Sequence, residues 1–122
     1  MTVAELPDEE PTRDLAVRLL TRFLQLCESP RTRDRMVTMV QGSTGSARAG
    51  RVLYRMINRS VLNPVARATG VQSSAMRTEL LASQLIGLAM LRYVIKVEPM
   101  ASASVDDVVA LTAPSIRATL QA

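Results

Sequence analysis

Four arginines, Arg48, Arg51, Arg55 and Arg59, recur at helical spacing and form the clearest chemical pattern of this 122-residue chain. Spacings of three and four residues put their side chains on one stripe of a helix, where guanidinium groups could contact phosphates. Such a stripe is more often a solvated face or a contact with a neighbouring domain. Because no aromatic platform accompanies it, stacking on single-stranded nucleic acid is not expected.

Residues suited to catalysis are scarce. The chain has no histidine, which is the commonest general base and metal ligand. Its one cysteine, Cys27, cannot form an internal disulfide and is expected to be a small buried hydrophobe. The loop 42–45 lacks the Lys-Ser/Thr ending of a phosphate-binding loop. We therefore predict no catalytic residue, no metal site, no cofactor and no enzymatic activity.

The composition favours an aliphatic core that is rich in methionine. Phe23, Tyr54 and Tyr93 are the only aromatic residues, whereas there are seven methionines. Methionine suits an irregular, adaptable interior. Several of these side chains could instead line a ligand cavity, namely Phe23, Met36, Met39, Tyr54 and Met56. Composition alone favours core filling.

Neither a signal peptide nor a membrane span is expected. Residues 1–12 are acidic and contain two prolines, unlike a secretory leader. The apolar region 80–97 includes Arg92 and Lys96 and is only marginally long enough to cross a bilayer. The chain carries a net charge of +4, with eight arginines and one acid between Arg31 and Arg67. A cytoplasmic protein without membrane contact is the expectation.

Apolar residues at helical spacing predict five helices and no strand, hence an all-α domain. The domain should cover residues 12–122, after a linker or the remnant of a preceding helix at residues 1–11. Pro64 should kink the third helix, and Glu98-Pro99 should end the fourth. The predicted helices span residues 12–28, 30–41, 47–69, 74–97 and 104–120.

The fourth predicted helix is apolar on two sides, and such a helix must be covered on both. Because few other helices could cover it, the pattern favours a homodimer in which two helices from each chain form a four-helix bundle. Small residues would let the backbones approach closely. The alternative is a central core helix in a monomer. The predicted dimer residues are Ser83, Gly87, Met90, Val94, Val109, Thr112 and Ile116.

Three segments carry a resemblance to a known family: residues 61–70, 83–102 and 105–120. The sharpest motif is Leu-Arg-Tyr-Val-x-x-x-Glu-Pro, from Leu91 to Pro99. From residue 4 onward the chain resembles the C-terminal part of TetR-family transcriptional regulators. The resemblance implies an all-α body that binds a small ligand and dimerises through its last two helices. It also implies a helix-turn-helix head, which should be absent here, so that operator DNA would be bound only through that head.

The resemblance places a ligand pocket among the earlier helices, for a small hydrophobic ligand. The residues expected to line the pocket are Phe23, Met39, Tyr54, Met56 and Gln84. The predicted function is the effector-binding and dimerisation domain of a TetR-like transcriptional repressor. One alternative is a stand-alone helical interaction protein that dimerises or sequesters partners without binding DNA. Another is direct nucleic-acid binding by the arginine stripe.

Overall fold

Helices make up nearly all of residues 10–43, 45–69 and 74–121, the part of the chain that the computed structural model describes. Two π-helical segments, π1 (Asn58–Leu62) and π2 (Met90–Val94), extend α3 and α5 without a break, so that α3, π1 and the next helix form one continuous stretch. The described residues contain no strand, and the all-α prediction is confirmed. The α-helices are α1 (Glu10–Glu28), α2 (Pro30–Ser43), α3 (Ala47–Ile57), α4 (Asn63–Thr69), α5 (Ala75–Ala89) and α6 (Val105–Gln121).

Serine hydroxyls cap three of these helices. The backbone N–H of Ala49 donates to Ser46 Oγ at 3.2 Å, and that of Arg77 donates to Ser74 Oγ at 3.2 Å. Ser104 Oγ accepts from the N–H of Asp107 at 3.1 Å. Each cap satisfies a donor that the first helical turn leaves unpaired. Helix α1 begins at Glu10, two residues earlier than predicted, whereas residues 1–9 of the expected linker lie outside the described residues.

Pro64 does not end the third helical stretch. Proline has no N–H to donate to the carbonyl four residues earlier, which is that of Ser60. The π1 segment occupies this turn, and the Nε–H of Arg22 on α1 donates to the Ser60 carbonyl oxygen at 2.8 Å. A side chain from another helix therefore satisfies an acceptor that Pro64 cannot pair.

The core is centred on α1, which packs along α6 on one side and against α2 on another. Leu20, Phe23 and Leu24 of α1 are fully buried. Apolar residues of α3, α5 and α6 complete the core, which is aliphatic as the composition predicted. Since α1 contacts helices from both halves of the chain, a shift of α1 would be felt by both.

Candidate functional site

A cavity of about 270 Å³ lies between α1, α2, α3 and π1. We call it the arginine-rimmed cavity, because two exposed arginines, Arg35 and Arg59, stand at its edge. Its apolar lining consists of Leu26, Met36, Met56, Ile57 and Val61. Thr32 and Ser60 add hydroxyl groups, and no acidic residue lines it. The cavity is thus apolar inside and positive at its edge.

The walls of this cavity come from elements held by their own packing. Met36, Ile57 and Val61 are buried, whereas Leu26 and Met56 are half-buried. Arg59, Ser60 and Val61 belong to π1, and π-helical turns are frequent at functional sites. Within the same segment, Asn58 Oδ1 is buried without a hydrogen-bond partner among the described residues. An orphaned acceptor of this kind is uncommon in folded proteins.

A second cavity, of about 610 Å³, has a polar lining. It lies between the end of α1, helix α2, the π2 segment and the loop that leads to α6. The lining carries both signs of charge. It is formed by Glu28, Arg33, Asp34, Val37, Thr38, Arg92, Tyr93, Lys96 and Ala101.

Arg92 is the buried charge at the base of this polar cavity, with 6% of its surface exposed. Its Nη1 donates to the carbonyl oxygens of Met100 at 2.7 Å and Ala103 at 2.9 Å. Its Nη2 lies 3.6 Å from Glu28 Oε2, and its Nε–H donates to Tyr93 Oη at 3.2 Å. The guanidinium therefore ties the end of α1 and π2 to the loop before α6, a structural role.

Tyr93 completes this network as a neutral donor. Its hydroxyl donates to Glu28 Oε2 at 2.5 Å. Burial raises the pKa of Tyr93 above its ordinary value, and the hydrogen bond to the Glu28 carboxylate raises it further. The phenol thus remains protonated at neutral pH and supplies no base for chemistry.

Cys27 is fully buried, and burial raises the pKa of its thiol from 9.0 to about 12. Since the pKa is raised in the folded state, the thiol contributes stability below pH 9.0 that is lost as the pH rises towards 12. We expect the free energy of unfolding to fall over this range in urea titrations, with a shallower fall in Cys27→Ala. Equal slopes for the two proteins would contradict this assignment.

The five predicted ligand residues do not converge on one cavity. Met56 lines the arginine-rimmed cavity. Phe23 is fully buried in the core, and Met39 and Tyr54 are half-buried against it, outside both cavities. Gln84 donates from Nε2 to Thr119 Oγ1 at 2.7 Å and so links α5 to α6.

The predicted dimer residues divide between surface and interior. Ser83 and Gly87 are exposed, and Met90, Val94 and Thr112 are half-buried. Val109 is 7% exposed and Ile116 only 1%, because this side of α6 covers the chain's own core. These two side chains therefore pack mainly within the chain, unlike the exposed Ser83 and Gly87 of α5.

An uncharged face remains exposed on α5, π2 and α6. None of the exposed residues is charged between residues 80 and 95, nor between 108 and 121. Large apolar side chains protrude from it, with 49% of Leu80 and 83% of Leu111 exposed. We call this surface the uncharged face; its members are Leu80, Ser83, Gly87, Leu91, Ala110, Leu111, Pro114, Ser115 and Ala118.

The arginine stripe, in contrast, is an exposed and positively charged surface. Arg48, Arg51 and Arg55 of α3 are exposed, as is Arg59 of π1. Only Arg59 of the four lines a described cavity. Sequence reasoning missed Arg35 and Ser60 as cavity residues. The signal that could have indicated Ser60 is its position four residues before Pro64.

Comparisons with known proteins agree with the all-helical fold. The model of the family described as "Tetracyclin repressor-like, C-terminal domain" matches residues 14–120. Comparisons with curated proteins and with solved structures gave no match. Among the described helices, none combines the length and the apolarity needed to cross a bilayer. The same residues include no cluster of three or more side chains suited to holding a metal ion.

Proposed function

Because this chain belongs to the tetracycline repressor-like C-terminal domain family, we propose that it is the effector-binding and dimerisation domain of a transcriptional repressor. The uncharged face carries this proposal. Large apolar side chains exposed on a surface without charged residues are typical of protein–protein interfaces. The arginine-rimmed cavity would then be the effector site.

The uncharged face fits a second copy of the same chain. Ser83 and Gly87 lie between Leu80 and Leu91, so that two α5 helices could approach closely at the small residues and bury the large ones. The Gln84–Thr119 hydrogen bond holds α6 beside α5. Two such pairs around a two-fold axis would form a four-helix bundle.

Helix α1 connects the cavity to this face. Leu26 of α1 lines the arginine-rimmed cavity, and α1 also packs along α6. A ligand that binds better to one position of α1 would shift the population of dimer arrangements. In a regulator, such a shift would change the separation of two DNA-binding heads, whose half-sites lie about 34–36 Å apart. The heads themselves would contact operator DNA.

Sedimentation equilibrium tests the dimer. We expect twice the 13.3 kDa chain mass, with association that does not weaken in high salt, because the interface is apolar. A measured mass equal to that of one chain at micromolar protein concentration would contradict the proposal.

Met56→Ala tests the cavity wall. Since Met56 is half-buried, we expect the free energy of unfolding to fall by about 1–2 kcal/mol, less than for a fully buried methionine. Met39→Ala should lose a similar amount, because Met39 is also half-buried but lies outside both cavities. Urea unfolding measures both, and an unchanged midpoint for Met56→Ala would show that the side chain makes no contact of consequence.

The uncharged face also supports a second function. A stand-alone interaction protein could use the same surface to dimerise or to sequester a related chain. A helix-turn-helix encoded in frame upstream of this sequence would favour the repressor.

A further inference from the structure

We propose that the arginine-rimmed cavity binds an amphipathic anion, a small carboxylate with a short aliphatic tail. This inference rests on the proposed function in taking that cavity as the effector site. It replaces the expectation of a purely hydrophobic ligand by one with a charged end.

The apolar residues that line the cavity favour an aliphatic tail in the ligand. Met36, Ile57 and Val61, which are buried, and Leu26 and Met56, which are half-buried, contribute apolar side chains to this lining. Methionine side chains are flexible and can adapt to an aliphatic chain. At about 270 Å³, the cavity is slightly smaller than most ligand pockets, which span roughly 300–1,000 Å³. A short tail therefore fits better than a long one.

The two arginines at the cavity edge favour a negatively charged group in the ligand. Arg35 comes from α2 and Arg59 from π1, so the two guanidinium groups approach the opening from different elements. Neither makes an ion pair with another described residue. A third guanidinium, that of Arg22, is hydrogen-bonded to the backbone of Ser60 in the same lining. Planar guanidinium groups match a carboxylate better than any other side chain does.

The acidic residues that are close to Arg35 in sequence do not line the arginine-rimmed cavity. Glu28 and Asp34 line the polar cavity, not the arginine-rimmed one. In the polar cavity, by contrast, Arg92 is already engaged by Glu28 and by two carbonyl oxygens. Of these two cavities, the arginine-rimmed one is therefore the one whose lining offers an anion positive charge without an acidic neighbour.

Octanoate and its neutral analogue octanol are the probes, each titrated into the full chain by calorimetry. We expect octanoate to bind about tenfold more tightly than octanol, since a charge-assisted hydrogen bond between a guanidinium group and the carboxylate is worth about that factor. Arg35→Gln and Arg59→Gln should each lower octanoate affinity about tenfold without changing octanol affinity.

Arg51→Gln is the matched control, because Arg51 is exposed on the same stripe as Arg59 and lines neither cavity. Its octanoate affinity should equal that of the unaltered chain. Equal losses in Arg51→Gln and Arg59→Gln would show non-specific attraction to a basic surface and overturn the proposal. Arg59→Lys, which keeps the charge, separates loss of binding from misfolding, because it should retain part of the affinity.

Two further outcomes separate this inference from the proposed function. If octanol binds as tightly as octanoate, or if neither binds, the anionic class is wrong, while a dimer in sedimentation still supports the regulatory domain. If octanoate binds as expected but the chain is monomeric, the ligand class holds and the dimerisation proposal fails.

Discussion

Replacing Arg92 with methionine should lower the free energy of unfolding by about 3 kcal/mol. Methionine keeps much of the apolar volume but removes every hydrogen bond of the guanidinium. The carbonyl oxygens of Met100 and Ala103 would then lose a buried donor, and Glu28 would lose its ion pair. Since Glu28 is partly exposed, water can solvate its carboxylate, which places the loss at the lower end for a broken buried pair.

Urea unfolding followed by circular dichroism measures this loss. Tyr93→Phe should cost less, about 1 kcal/mol, because it removes only the hydroxyl, which donates to Glu28 and accepts from Arg92 Nε–H, and leaves the ion pair in place. Arg51→Met is the exposed control and should change stability by no more than about 0.5 kcal/mol. If Arg92→Met unfolds at the same urea concentration as the unaltered chain, the guanidinium does not hold the loop before α6.

Replacing Gly87 with leucine should weaken the dimer about 30-fold or more, as expected for roughly 2 kcal/mol of overpacking. In the single chain, a Cβ added at Gly87 meets nothing within 4 Å. The folded monomer should therefore gain up to about 1 kcal/mol from the higher helix propensity of leucine. If Gly87 lies in the dimer interface, its replacement by leucine should therefore stabilise the folded monomer and weaken the association of two monomers.

Analytical ultracentrifugation over a range of concentrations separates the two effects. Ala47→Leu adds an equally large side chain at an exposed position of α3, away from the uncharged face, and should leave the dissociation constant unchanged. If Gly87→Leu remains as dimeric as the unaltered chain, the two copies do not meet through this part of α5.

The helices could be predicted from the sequence because their signals are local. Serine hydroxyls mark the starts of α5 and α6, and Pro30 marks that of α2. A helix through Pro64 is also predicted, but the partner of the Ser60 carbonyl is a distant residue. The arginine that satisfies the Ser60 carbonyl is 38 residues away, and no periodicity in a single sequence indicates that pairing.

The cavity could be predicted only in part, because its lining also combines residues that are distant in sequence. Met56 was identified from its type, whereas Arg59 was assigned to a solvated stripe, since a regular helix puts it in line with Arg55. Arg59 lies three residues after Met56 and so neighbours it on a regular helix, but nothing in the spacing indicates that the two line a cavity together with residues of α1 and α2.

For α6, the hydrophobic spacing indicates which residues are buried. It does not by itself indicate whether a partner chain or the chain's own core buries them. The small number of other helices favours a partner over the chain's own core as the cover for Val109 and Ile116. In the single chain both side chains are already buried. Leu111, on another side of the same helix, is left protruding.

Pro64 has a consequence that reaches beyond its own helix. By withholding an N–H from Ser60, it leaves a strong acceptor facing α1, and Arg22 reaches across to fill it. A residue known for interrupting helices thus joins two of them beside the arginine-rimmed cavity. Replacing Arg22 would remove the donor that Pro64 makes necessary, although the two are far apart in sequence and neither lines the cavity.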